Sequence, residues 1–242
     1  MKNLQIIIQA RTSSTRLPGK VLLPLCGKTV LEIMISRLGE LRNNIIIATT
    51  NNGSEAPIVD LCKQLNIPFF RGSEYNVLER FYRAATEYGA DNATSIVRLT
   101  SDCPLIDKFL CKEAISKHQS GKFDLVNIGP HSGFPRGLDV SVFSYDLLKH
   151  TYCHAKNEND LEHVTLGMTK FRETTILNIC ESEDLSDIRL TLDENDDYLV
   201  IKEVFKQFNN SVDFTYNQLK LMLKNNEYIC KINSEVVQKS TR

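Results

Sequence analysis

Between residues 4 and 128, short β-branched runs alternate with amphipathic stretches at close spacing, a rhythm that few architectures accommodate. Runs at 6–8, 45–49, 67–70, 95–99 and 125–128 read as buried strands. Between them lie helix signals. Thr29 and Glu32 form a capping box, and Leu31, Met34, Ile35, Leu38 and Leu41 follow at helical spacing, predicting a helix over 30–42. Ser54 is expected to cap a helix running to 65 with Pro57 in its first turn, Asn76 one through 88, and Asp107 one to 118. Such alternation predicts an α/β protein with a mostly parallel sheet and helices on its faces. From 129 the rhythm changes. A loop-rich stretch at 129–137 precedes strands expected at 138–143, 175–180 and 188–192 and helices expected at 147–152, 158–171, 195–208 and 215–225. With no internal repeat or long linker, residues 1–242 read as a single domain with an excursion at about 129–182.

Composition narrows the partners. A formal net charge of −1 argues against a general nucleic-acid or membrane-surface binder, so any anion site must be local. Seven cysteines, odd in number and without a C-x-x-C pair, fit reduced thiols rather than disulfides or zinc. No run approaches the length of a membrane span. A cytoplasmic protein is expected.

Three segments carry candidate chemistry. The first is Gln9-Ala10-Arg11-Thr12-Ser13-Ser14-Thr15-Arg16-Leu17-Pro18-Gly19-Lys20, just past the carboxyl end of the first strand. Short hydroxyl donors, two guanidinium forks and a lysine point charge suit a polyanion at the place where open α/β sheets bind ligands. It matches neither a Walker A loop nor G-x-G-x-x-G, and a basic surface loop with a Pro-Gly turn fits the same letters. Lys20 is expected to be exposed. The second segment runs from Val97 through Arg98, Thr100, Asp102 and Cys103 to Ile106, with Asp102 just beyond a buried strand. Asp102 by itself best fits a turn before Pro104, and it also fits a carboxylate for Mg²⁺ beside a triphosphate. The third ends in Asp193 and continues to Asp197. Asp193 fits a helix cap, or the second carboxylate of the same ion.

The match at Ala10, Arg11, Ser14, Arg16, Leu17, Pro18, Gly19 and Lys20 resembles the A-R-x-x-S-x-R-L-P-G-K signature of the sugar cytidylyltransferases. That family includes the CMP-Kdo and CMP-sialic acid synthetases, and the closest likeness is to its spore coat polysaccharide biosynthesis protein F branch. The resemblance extends through the run from Arg71 to Phe81, through Phe134 to Val140, through Glu162 to Thr165, and on to about residue 233. It implies a Rossmann-like, GT-A-like three-layer α/β/α fold, a homodimer contacting through the excursion, and transfer of CMP from CTP to an acidic sugar or phosphorylated acceptor.

By the same resemblance, Arg11, Arg16 and Lys20 act on the departing pyrophosphate. Ala10, Ser14, Arg71, Asn76, Arg80 and Thr100 join Arg11 and Lys20 in holding the nucleotide. Arg98, Arg136, Asp139 and His163 face the acceptor, and Asp102 and Asp193 hold Mg²⁺. Arg80 also fits a solvated helix arginine, and His163 a structural donor. Two other functions suit parts of the pattern: a metal-dependent glycosyltransferase using a nucleotide-sugar, and a catalytically silent nucleotide-binding subunit. The cationic first loop, aimed at a leaving pyrophosphate, argues against the glycosyltransferase.

Overall fold

The computed structural model describes residues 3–238. Its strands are β1 (Leu4–Gln9), β2 (Pro24–Leu25), β3 (Lys28–Thr29), β4 (Ile45–Thr50), β5 (Phe69–Gly72), β6 (Ser95–Thr100), β7 (Leu125–Ile128), β8 (Val140–Ser144) and β9 (Ile176–Asn178). The helices are α1 (Val30–Arg37), α2 (Ala56–Leu65), α3 (Val77–Glu87), α4 (Lys108–Gln119), α5 (Tyr145–His154), α6 (Glu158–Glu162), α7 (Asn195–Gln207), α8 (Tyr216–Asn225) and α9 (Tyr228–Lys231). Seven strands form one sheet in the order β5-β4-β1-β6-β8-β7-β9, and β2 and β3 make a separate hairpin. Within the large sheet only β8 runs antiparallel to its neighbours.

Alternation along the central strand builds two cores. Ile6 and Ile8 of β1 face the layer formed by α1, α2, α4 and the C-terminal helices, while Ile7 faces α3 and α5. All three isoleucines are fully buried, which is why the run is apolar on both faces. The three-layer α/β/α expectation holds. From β1 the chain passes to β4 on one side and reaches β6 on the other, so the strand order reverses between β1 and β6. At such a switch point the loops beyond the strand ends part and leave a crevice. The loop at 10–20 follows β1, and Asp102 follows β6.

Several local expectations are corrected. The helix over 30–42 ends at Arg37, because Gly39 takes a positive φ of 55° and the chain continues as a 3₁₀ turn over Gly39–Asn44. Ser54 does not cap α2; its hydroxyl donates to Asn52, and the helix starts after Glu55. The polar helix over 158–171 is only the short α6, after which the chain turns repeatedly around Gly167, whose absent Cβ leaves room for Phe171 and Thr151. No strand forms over 188–192. Leu190 and Leu192 point into the core, but their amides donate to Arg136 O and Asp102 O, at 2.7 Å each, rather than to a neighbouring strand.

That crossing depends on Gly137. It sits at φ 104°, and a Cβ there would lie 2.5 Å from the backbone carbon of Leu190. Gly137→Ala is therefore expected to cost at least about 2 kcal/mol, read as a fall in the thermal midpoint.

The 181–188 segment is fastened to α8 through Glu181, which accepts from Lys220 Nζ at 3.0 Å. Burial alone would raise this carboxyl, but neighbouring Tyr216, Lys220 and Ser182 bring it from 4.5 down to about 2. A depressed folded-state value adds stability above the unfolded value, and that stability is lost as pH falls through the folded one. Between pH 4.5 and about 2 the wild type should thus lose more of its urea midpoint than Glu181→Gln does.

Candidate active site

The crevice at the switch point is a cleft of about 780 Å³. Ala10, Arg11, Ser14, Arg16 and Lys20 line it from the first loop, Asn76 and Arg80 from α3, Arg98, Thr100 and Asp102 from β6 and its end, Asp193 from the crossing segment, and His163 from the end of α6.

The first loop is shaped from within. Gly19 adopts φ 67° and donates its amide to Thr12 O at 3.0 Å, closing the turn so that the next residue points inward. Outside contacts pin it: Thr12 Oγ1 donates to Ser54 O at 2.9 Å, and Ser13 donates to Glu74. Glu74 also receives Asn52 Nδ2 and faces Arg11 at 3.5 Å. Ser13, Asn52 and Arg11 hold its carboxyl below the usual range against the opposing effect of burial.

Lys20, expected to be exposed, is buried, at 8% residue exposure. Its Nζ donates to Asp102 Oδ2 at 2.9 Å and to Asp193 Oδ1 at 2.8 Å. The two carboxylates, distant in sequence, thus meet on one ammonium. Burial works to lower the Lys20 pKa, but the charges of Asp102 and Asp193 outweigh it and raise it above its ordinary value. Loss of Lys20 therefore acts on stability as well as on any chemistry.

Asp193 is held from behind. Its Oδ2 accepts from Arg189 Nη2 at 2.9 Å and faces Arg16 Nη2 at 3.2 Å. Burial acts to raise its pKa, yet Lys20, Arg16 and Arg189 together bring it below the ordinary carboxylate value. Arg189 is oriented by Asp197, which is fully buried and turned away from the cleft. Asp197 thus completes the acidic segment as a brace for Asp193.

The deeper cations differ in being uncommitted. The Arg98 side chain makes no hydrogen bond or ion pair among the described residues, and its Nε is buried without a partner. Arg80 donates Nη1 to Ser73 O at 2.6 Å, while its Nε has no partner. Burial, reinforced by Arg11, brings the Arg80 pKa down to about 10, and burial lowers that of Arg98. Gln9 Oε1 is also buried without a partner beside them. Unpaired buried donors at a cleft floor are groups a ligand can satisfy.

Three expected site residues lie outside the cleft lining. Arg71 pairs with Glu55 on the outer side of β5. Arg136 serves through its backbone, which bonds Ile188 and Leu190. Asp139 is half-buried outside the cleft lining with Gly137 N donating to it at 2.8 Å, and desolvation raises its pKa. Ala10 lines the cleft, but its amide donates to Ala48 O. Cys103 is a buried thiol whose pKa burial raises far above ordinary values, which leaves it unreactive. Sequence reasoning did not single out Gln9, Glu74, Arg189 or Glu194, the last of which accepts from Arg16 Nη1 at 2.9 Å. Gln9 was signalled by its two-residue spacing from Ile7, whereas no local spacing signals Arg189, because 189–193 is not helical.

The described residues contain no cluster of three or more His, Cys, Asp or Glu side chains that could hold a metal by themselves, and no helix long and apolar enough to cross a membrane. What the cleft does present is a ring of cations around two converged carboxylates. Such an arrangement accommodates a polyanion together with a hard cation that takes part of its ligands from that polyanion.

Comparison with known proteins agrees with this geometry. The chain is 36% identical over 241 residues to protein MJ1063 of Methanocaldococcus jannaschii, covering 98% of this chain and 96% of that one. It is 30% identical over 236 residues to the spore coat polysaccharide biosynthesis protein SpsF of Bacillus subtilis, covering 93% and 96%. The solved structure of a cytidylyltransferase from Leptospira borgpetersenii superposes with a TM-score of 0.89 at 29% identity, covering 99% and 100%. The cytidylyltransferase family model matches residues 5–221, so this chain belongs to the cytidylyltransferases, CTP-dependent nucleotidyltransferases.

Proposed function

We propose that the protein transfers CMP from CTP to an acidic sugar or phosphorylated acceptor, with Mg²⁺, in the cytoplasmic synthesis of a surface polysaccharide. The observation that carries this reading is the convergence of Lys20, Asp102 and Asp193 beneath the cationic first loop, in one cleft. In the reaction an acceptor oxygen forms a bond to the α-phosphorus, the bond to the bridging oxygen of the β-phosphate breaks, and pyrophosphate leaves with that electron pair. Little covalent chemistry is asked of the protein, so positioning and charge neutralisation dominate.

Arg11, Arg16 and Lys20 receive the negative charge that builds on the leaving group, with the Ser14 hydroxyl as a further donor. Asn76, Arg80 and Thr100 position the nucleoside. Arg98 and His163 face the acceptor. Asp102 and Asp193 would hold Mg²⁺, which when bound neutralises phosphate charge and activates an acceptor hydroxyl. In this reading Arg71, Arg136 and Asp139 act through their neighbours. The excursion at about 129–182, where Leu166 and Ile176 are exposed, is proposed as the contact of a homodimer, which light scattering measures directly.

The test is a panel of ulosonic acids, nonulosonic acids and sugar phosphates incubated with CTP and Mg²⁺. Pyrophosphate is expected in equal amount to a CMP-linked product, and to depend on one member of the panel. Release of free nucleotide from a nucleotide-sugar, with no pyrophosphate from CTP, would overturn the reading.

A further inference from the structure

The space between the two carboxylates is set without Lys20. Leu192 N donates to Asp102 O at 2.7 Å, so the segments bearing the two acids are strapped together through the backbone. Arg189 and Arg16 fix the outer oxygen of Asp193. Into the remaining gap comes an ammonium that touches one oxygen of each acid, at 2.9 and 2.8 Å, with its side chain only 10% exposed. Two of its three N–H donors are thereby spent. A cation in that place relieves the repulsion of two facing carboxylates, which is what a divalent ion would do there. A bare divalent ion approaching the gap meets the lysine charge instead of two free acids. The same ammonium keeps a single N–H for phosphate oxygens until it leaves.

We propose that Lys20 is the resident counter-ion of the divalent-cation position. It closes that position to a bare ion in the free protein and yields it when ion and triphosphate arrive together, its ammonium passing from the carboxylates to the phosphates. The inference rests on the Mg²⁺–CTP reading above, and it makes cation affinity conditional on nucleotide.

The test uses Mn²⁺, whose paramagnetic resonance signal reports the free ion, titrated into the full-length protein with no nucleotide or acceptor present. Lys20→Met keeps the aliphatic stem and removes the charge. It is expected to bind a single Mn²⁺ at least about tenfold more tightly than the wild type. The gain should vanish when Asp193→Asn is added. Mn²⁺ should also raise the thermal midpoint of Lys20→Met but not that of the wild type. With CTP added, the wild type should retain Mn²⁺ beyond what CTP alone binds.

Equal Mn²⁺ affinity in Lys20→Met and wild type would overturn the proposal, as would wild-type binding of bare Mn²⁺ that CTP does not strengthen. Should Lys20→Met fail to fold, Lys20→Gln replaces it, and the paired wild-type titrations decide by themselves. The nucleotide-free titration contains no reaction. Its failure would leave cytidylyl transfer standing, whereas absence of pyrophosphate from every acceptor would leave the Mn²⁺ result in place and remove the enzymatic reading.

Discussion

Asp102→Asn is expected to lower pyrophosphate release from CTP about 10²–10³-fold while moving the thermal midpoint by only a few degrees. Both halves follow from geometry. The Asp102 side chain is 26% exposed, and its carboxylate has Lys20 as its one cationic partner within an ion-pair distance among the described residues. Asn has the same shape and keeps an oxygen for the ammonium, while Asp193 continues to hold Lys20 from the other side. A partly exposed pair of this kind contributes modestly to stability. Catalysis has no such redundancy, since half the negative charge offered to the cation is gone. Steady-state assays at saturating CTP and acceptor, beside a thermal melt, provide both readings. Turnover within about tenfold of the wild type would remove Asp102 from the site.

Asp197→Ala should behave in the opposite way, failing in stability first. Asp197 is fully buried. It accepts from Arg189 Nε at 2.8 Å and Nη2 at 3.0 Å, from Asn233 Nδ2 at 2.9 Å, and from the amides of Asp193 and Glu194 at 2.9 and 3.0 Å. Removing the carboxylate takes two hydrogen bonds from a largely buried guanidinium and strands three other donors at once. Breaking a buried pair by deleting one partner costs about 3–5 kcal/mol. For a chain of this size the midpoint should fall by roughly 10 °C. Activity should fall with it even below the new midpoint, because Arg189 no longer steadies Asp193. Circular dichroism melts with parallel assays at low temperature separate the two losses. An unchanged melt would show that Asp197 braces nothing.

The two experiments divide what was legible in the sequence from what was not. The sheet could be read from 4–128 because buried parallel strands are apolar on both faces and their helices carry caps: Thr29, Asn76 and Asp107 all cap as expected. The strand-end positions of Asp102 and Asp193 offer their meeting as one of two readings and the resemblance favours it, since nothing local to either residue encodes a contact across so much chain. Burial of Lys20 was not anticipated, because a lysine in a Gly-Lys turn looks solvated until its partners are known. The stretch 188–192 has the alternation of a strand, and periodicity cannot tell a sheet partner from two separate carbonyls. Arg71, Arg136 and Asp139 sit inside motif-like runs, and a run shows which residues travel together without showing which of them turn toward the cleft.

The strap between Leu192 N and Asp102 O, with the second one between Leu190 N and Arg136 O, has a consequence for how such a chain can vary. Both ties lie outside the stretch between β8 and β9, so lengthening or recasting that stretch leaves the spacing of the two acids untouched. On the proposed reading, in which His163 of that stretch faces the acceptor, chimeras that graft a foreign segment between β8 and β9 should change the acceptor without losing the grip on CTP.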